Sequence, residues 1–144
     1  MSVDTEQIEN AVLAALQSSG LKDICPNIDL YHGEIHDFLD QLEQLPLAMP
    51  ATYVHWSGSK FVDKANRAYI EHATFSVYHI AKDLRGRKES RGSVNDMIAL
   101  TRETLIGKEL SLDIMPFKPE ALYPVKTSRK FNIWVFDIKT SFSL

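Results

Sequence analysis

"FNIWVFDI", residues 131–138, decides how the rest of the chain is read. It alternates as a strand does, yet both faces are apolar: Phe131, Ile133 and Val135 on one, Trp134, Phe136 and Ile138 on the other. Such a strand must be covered on both sides, by helices or by a neighbouring subunit. Working outward, "ATYVHW" (51–56) and "ATFSVYHIA" (73–81) are rich in β-branched and aromatic residues and read as further strands. "SLDIMPF" (111–117) and "NIDLY" (27–31) are shorter strand candidates.

Three segments carry helical spacing instead. In "DTEQIENAVLAALQSSG" Asp4 stands three residues before Gln7, a capping-box pattern. Ile8, Val12, Ala15 and Leu16 then form a stripe that Gly20 stops. In "GEIHDFLDQLEQLP" Ile35, Phe38, Leu39, Leu42 and Leu45 share a face, Glu34, Asp37, Asp40 and Glu43 share the opposite one, and Pro46 ends the helix. "SVNDMIALTRETLIGK" opens on Ser93 as N-cap with Asp96 three residues on; Val94, Met97, Ile98, Thr101 and Leu105 face inward, and Gly107 closes it. The order α, β, α, β, β, α, β, β predicts an α+β fold: a mostly antiparallel sheet with about three helices packed on it, in a single domain spanning 1–144.

The totals agree. A chain of 144 residues, 44% apolar and 24% charged, can bury a real core and lies in the ordinary globular range. No apolar run approaches the roughly 20 residues of a membrane helix, and "MSVDTEQIEN" has no apolar signal-peptide centre, so a cytoplasmic site of synthesis and use is expected. Cys25 is the only cysteine and reads as a small buried hydrophobe.

The net charge of −3 hides an asymmetry. Residues 1–50 hold nine acids against the single base Lys22, whereas "KDLRGRKESRG" (82–92) sets Lys82, Arg85, Arg87, Lys88 and Arg91 against only Asp83 and Glu89. Residues 83–92 read as a strand-to-helix connection. Three roles stand open for it: a solvated loop, a docking loop that orders against an acidic partner, or a phosphate-directed DNA contact. The last would be blind to sequence, since the loop has no aromatic to stack on bases.

No catalytic, cofactor or metal site is expected. His32 and His36 have helix-face spacing but no evident third ligand, and His55, His72 and His79 fall in strands. "WSGSKF" (56–61) lacks the glycine and lysine order of a phosphate loop and reads as a turn. No serine sits on the sharp strand-turn-helix elbow of a hydrolase. The remaining enzymatic alternative is a small nucleic-acid-associated protein or metal-dependent nuclease, with Asp113 and Asp137 as metal-holding acids, Lys139 steadying water, and the 82–92 segment gripping the substrate.

Four segments taken in order, "IENAVLAAL", "LPLAMPATYVHWSG", "FSVYHIAKDLRG" and "GSVNDMIALTRETLIGKEL", resemble the Mu-like prophage family encoded just ahead of the contractile tail sheath. That family is regarded as the tail terminator. The resemblance spans nearly the whole chain and rests on patterns of Pro, Gly and apolar residues. It implies a small α+β structural protein of the virion tail, present in the host cytoplasm during assembly and forming a homohexameric ring. Its implied partners are itself, the tail tube and sheath proteins and the head connector or neck protein, with non-specific DNA contact in the ring lumen as a further option and no membrane.

Overall fold

A computed structural model describes residues 3–31, 50–65, 68–82, 88–127 and 131–144. Helix α1 (Thr5–Gln17) starts where its capping box sets it: the Gln7 N–H donates to Asp4 Oδ1 at 2.8 Å and the Asp4 N–H donates to Gln7 Oε1 at 3.0 Å. Ile8, Val12 and Leu16 line its buried face. A one-turn helix, α2 (Leu21–Ile24), leads into β1 (Asn27–Leu30), which pairs parallel with the start of β2 (Ala51–Lys64). A parallel pair needs a crossover of a dozen or more residues. The helix predicted over 34–45, with His32 and His36, lies in the intervening stretch and outside the described residues.

From β2 the chain turns into β3 (Ala68–Lys82), then α3 (Lys88–Leu105), β4 (Lys118–Thr127) and β5 (Phe131–Ser143). The sheet order is β1-β2-β3-β5-β4. Both β3 and β4 run antiparallel to β5 and are therefore parallel to each other, so α3 makes a β-α-β crossover into whose gap β5 inserts. This is the expected α+β architecture, mostly antiparallel.

Both faces of β5 are buried, and within one chain. On the helix side, Phe136 and Ile138 join Val54, Phe75 and Val77 beneath Ile8, Val12, Leu16, Met97 and Leu105. On the other side Ile133 (0% exposed) and Val135 (1%) pack with Tyr53, Tyr78, Ile80 and Phe131, and the Tyr31 ring lies 4.8 Å from that of Tyr78. Each large side chain so buried stabilises the fold by about 1.5–3 kcal/mol. No neighbouring subunit is needed to cover this strand.

Four expectations need correction. Residues 57–61 are not a turn: they continue β2 through a bulge between Trp56 and Gly58, where Gly58 takes φ +130° and re-phases the strand. Residues 111–117 are not a strand. Leu110 and Ser111 adopt left-handed backbone, and Ile114 and Phe117 serve as core plugs, Phe117 meeting Phe75 edge-on. Ser93 is not the N-cap of α3, which begins at Lys88 and runs through Gly92, because Lys, Glu, Ser and Arg before the glycine are adequate helix formers. The strand that sequence reading missed is β4, masked by Pro119 and Pro124, which an edge strand tolerates.

A polar chain crosses the interior. The Thr101 hydroxyl donates to the Met97 carbonyl at 2.9 Å, so it must accept from His79 Nε2–H at 3.1 Å. Nδ1 then accepts from Thr52 Oγ1 at 2.9 Å, and Cys25 Sγ lies 3.3 Å from that hydroxyl while its S–H also has the Asn27 carbonyl as an acceptor at 3.5 Å. Complete burial holds the His79 pKa down to about 3, so the folded protein keeps it neutral. Below pH 6.5 the unfolded chain takes up a proton at this site and the native chain does not. Stability is therefore lost as pH falls from 6.5 towards 3, by about 2 kcal/mol at pH 5. Urea unfolding at stepped pH should show this slope in the wild type and lose it in His79→Gln.

Candidate functional site

The basic segment singled out in the sequence is distributed between a strand end and a helix start. Lys82 is the last residue of β3, paired with Phe131, and Lys88 and Arg91 belong to the opening turns of α3. Arg85 and Arg87 lie outside the described residues. The connection predicted over 83–92 is thus shorter than expected, and α3 takes residues 88–92. Lys126, near the end of β4, reaches the same end of the sheet through its pairing with Ile133.

The opposite end of the sheet has a different character. Residues 60–64 of β2 are all exposed, as is Tyr69 across the hairpin, and the helices do not cover them. This ribbon, continued by β5 up to Ser143, presents Phe61 (58% exposed), Val62 (49%) and Tyr69 (46%) to solvent. The β4 edge is unsuited to strand addition: Pro119 and Pro124 lack an N–H, and two bulges interrupt its register.

Two clefts open beside the ribbon. One, of about 610 Å³, is lined by Lys64, His72, Asp113, Met115, Lys118 and Lys139, among others. The other, of about 500 Å³, holds Lys60, Glu120 and Asp137 and shares His72 and Lys139 with the first. The acids proposed for a nuclease are therefore parted: Asp113 lines the first cleft, Asp137 the second, with Lys139 between. Asp137 is also engaged, accepting from Ser76 Oγ at 2.6 Å, while Ser57 bonds Ser76 in turn. Burial, together with the Asp137 charge and its hydrogen bond, pushes the Tyr123 phenol up. Glu120 accepts from Thr74 Oγ1 at 3.1 Å.

The remaining candidates have structural partners. His72 bonds Ser141 Oγ at 2.5 Å, and the His55 ring meets Tyr31 edge-on at 5.3 Å. Burial raises the Cys25 thiol pKa and keeps it protonated, the behaviour of a buried hydrophobe. Among the described residues no group of three His, Cys, Asp or Glu could hold a metal ion, and no helix is long and apolar enough to cross a membrane.

The sequence matches the family described as Bacteriophage Mu, Gp37 over residues 5–142, from the first turn of α1 to the penultimate residue of β5. The chain belongs to that family. It is thus a bacteriophage protein of structural or assembly type. No curated protein matches it. For this phage protein the match covers every described element of the sheet, including β4 and the outer ribbon that the sequence reading had not delimited.

The Ser57–Ser76–Asp137 row fixes the start of the ribbon. Asp137→Ala should lower the unfolding free energy by about 1–2 kcal/mol, since a bond to an ionised acceptor is lost. Asp137→Asn keeps an acceptor oxygen and should cost less. Urea titration of both variants gives the ranking.

Proposed function

We propose that this chain is the terminator of a contractile phage tail: a structural protein that docks on the end of tube and sheath, closes into a homohexameric ring, halts polymerisation and presents a surface to the head connector. The number six and the named partners come from the family resemblance. The observation that carries the reading is the outer ribbon of β2, β3 and β5, with Phe61, Val62 and Tyr69 exposed on a rigid, paired scaffold. Exposed aromatics on a stiff element are the usual anchors of protein–protein contacts. A closed ring needs two different complementary surfaces on each subunit. The basic segment of Lys82, Arg85, Arg87, Lys88 and Arg91 has its complement in the acid-rich first fifty residues of a neighbouring subunit, and the ribbon adds apolar area.

The chain acts by binding rather than by catalysis on this reading. The division of Asp113 and Asp137 between two clefts supports that choice over the nuclease alternative.

Phage carrying Phe61→Asp with Val62→Asp should build overlong tails that fail to join heads, while the purified variant keeps wild-type circular dichroism and urea midpoint. Changing Arg85, Arg87, Lys88 and Arg91 to Ala should likewise prevent joining. Tails of normal length joined to heads in the ribbon variant, seen by electron microscopy, would defeat the proposal.

A further inference from the structure

The first cleft has a charge arrangement that assembly through ribbon and basic segment does not use. Lys118 and Lys139 are Cα partners directly opposite one another on β4 and β5. Directly opposed residues of an antiparallel pair point to the same face, with Cβ atoms about 5 Å apart, and like charges so placed repel. Lys64, from the exposed end of β2, lines the same cleft, and the described residues give none of the three lysines a carboxylate partner. Asp113 is the one acid in the lining, against three ammonium groups and the His72 imidazole. The ring is held beside the cleft by its bond to Ser141.

The fold reinforces this convergence. β5 runs on past the last β4 pair at Lys118↔Lys139, and there the segment before β4 ties itself to β5: the Met115 N–H donates to the Ser141 carbonyl at 2.8 Å, and Thr140 Oγ1 donates to the Met115 carbonyl at 2.6 Å. Lys118 and Lys139 are therefore held on a fixed backbone and cannot separate to relieve their repulsion except by side-chain motion. A multivalent oxyanion between them would turn the repulsion into attraction. Lysine suits phosphate, which offers several oxygens to point charges arriving from different directions. At about 610 Å³, with Met115 and Ile70 in its wall, the cleft exceeds a bare ion and is in the size range of small-molecule sites.

We propose that the cleft formed by Lys64, Lys118, Lys139 and His72 binds the phosphate of a phosphate-bearing ligand, either a free phosphorylated compound or a nucleic-acid backbone. It is separate from the basic segment at the other end of the sheet. In low salt, pyrophosphate should raise the melting temperature of the full chain beyond sodium chloride at matched ionic strength. Lys118→Met and Lys139→Met should each melt roughly 1–4 °C higher than wild type without phosphate, because the repulsion is gone, and should lose the pyrophosphate response. Lys22→Met, a change at an exposed lysine on α2, should keep it. Fluorescence anisotropy with a labelled 20-base-pair duplex then separates the sources. Duplex binding that the double lysine variant weakens at least tenfold identifies a nucleic-acid backbone; a pyrophosphate response without duplex binding identifies a free phosphate compound. Equal responses to pyrophosphate and chloride, a response retained in both lysine variants, or an effect of poly-glutamate but not pyrophosphate would overturn the proposal.

Discussion

The pairing of β3 with β5 is the constraint from which the rest of the molecule follows. It runs without a bulge from Lys82↔Phe131 to Ile70↔Ser143. Because side chains alternate, a slip of one residue would move Ile133 and Val135 beneath the helices and push Phe136 and Ile138 to the other face. Both faces are dry, so the error would have to be absorbed in two cores at once. β5 also separates β3 from β4, which makes α3 a crossover and places its inward stripe over β3. The same register places Thr74 beside Lys139 and Ser76 beside Asp137, so the cleft chemistry inherits its geometry from the core.

The buried polar chain works with that register. Thr52, His79 and Thr101 come from β2, β3 and α3, and their hydrogen-bond directions are mutually determined. A histidine ring without partners at this depth would leave both nitrogens desolvated. Here one hydroxyl serves each nitrogen, and the helix can occupy only the position where Thr101 reaches Nε2. Apolar contact fixes how closely α3 approaches the sheet, while this chain fixes where along β3 it sits.

Local patterns in the sequence were legible where one element owned the signal. The Asp4–Gln7 box, the α3 stripe from Val94 to Leu105 and the double apolar face of β5 each lie within a few residues, and each appears in the fold as read. Reading failed where tertiary context overrode local chemistry. Ser57, Gly58 and Ser59 have turn composition but are held in a strand by β3 pairing. Pro119 and Pro124 argue against a strand until its place at the sheet edge is known. Ser93 looks like a cap only if the turn before it is not helical. The 82–91 charge run was visible because it is contiguous. Lys64, Lys118 and Lys139 are spread over 75 residues of sequence numbering, 139 less 64, and only the β4–β5 register brings two of them face to face.

That register also revises the simple picture of an acidic end and a basic loop. Lys82, Lys88, Arg91 and Lys126 approach one end of the sheet, yet Lys60, Lys64, Lys118 and Lys139 occupy the other, beside exposed Phe61 and Val62. Asp63, Glu71, Asp113, Glu120 and Asp137 lie among those lysines, so the ribbon end is mixed in charge and is set apart by its exposed apolar residues. Contact made through the ribbon draws on apolar area, which salt leaves intact or strengthens. A contact made through the 82–91 segment draws on charge, which screening weakens over about 10 Å at 0.1 M salt. In a ring of identical subunits every contact is the same heterologous one, so apolar area and charge act together within each contact. High salt should then weaken every contact of the ring alike, by its charged share, while the apolar share persists.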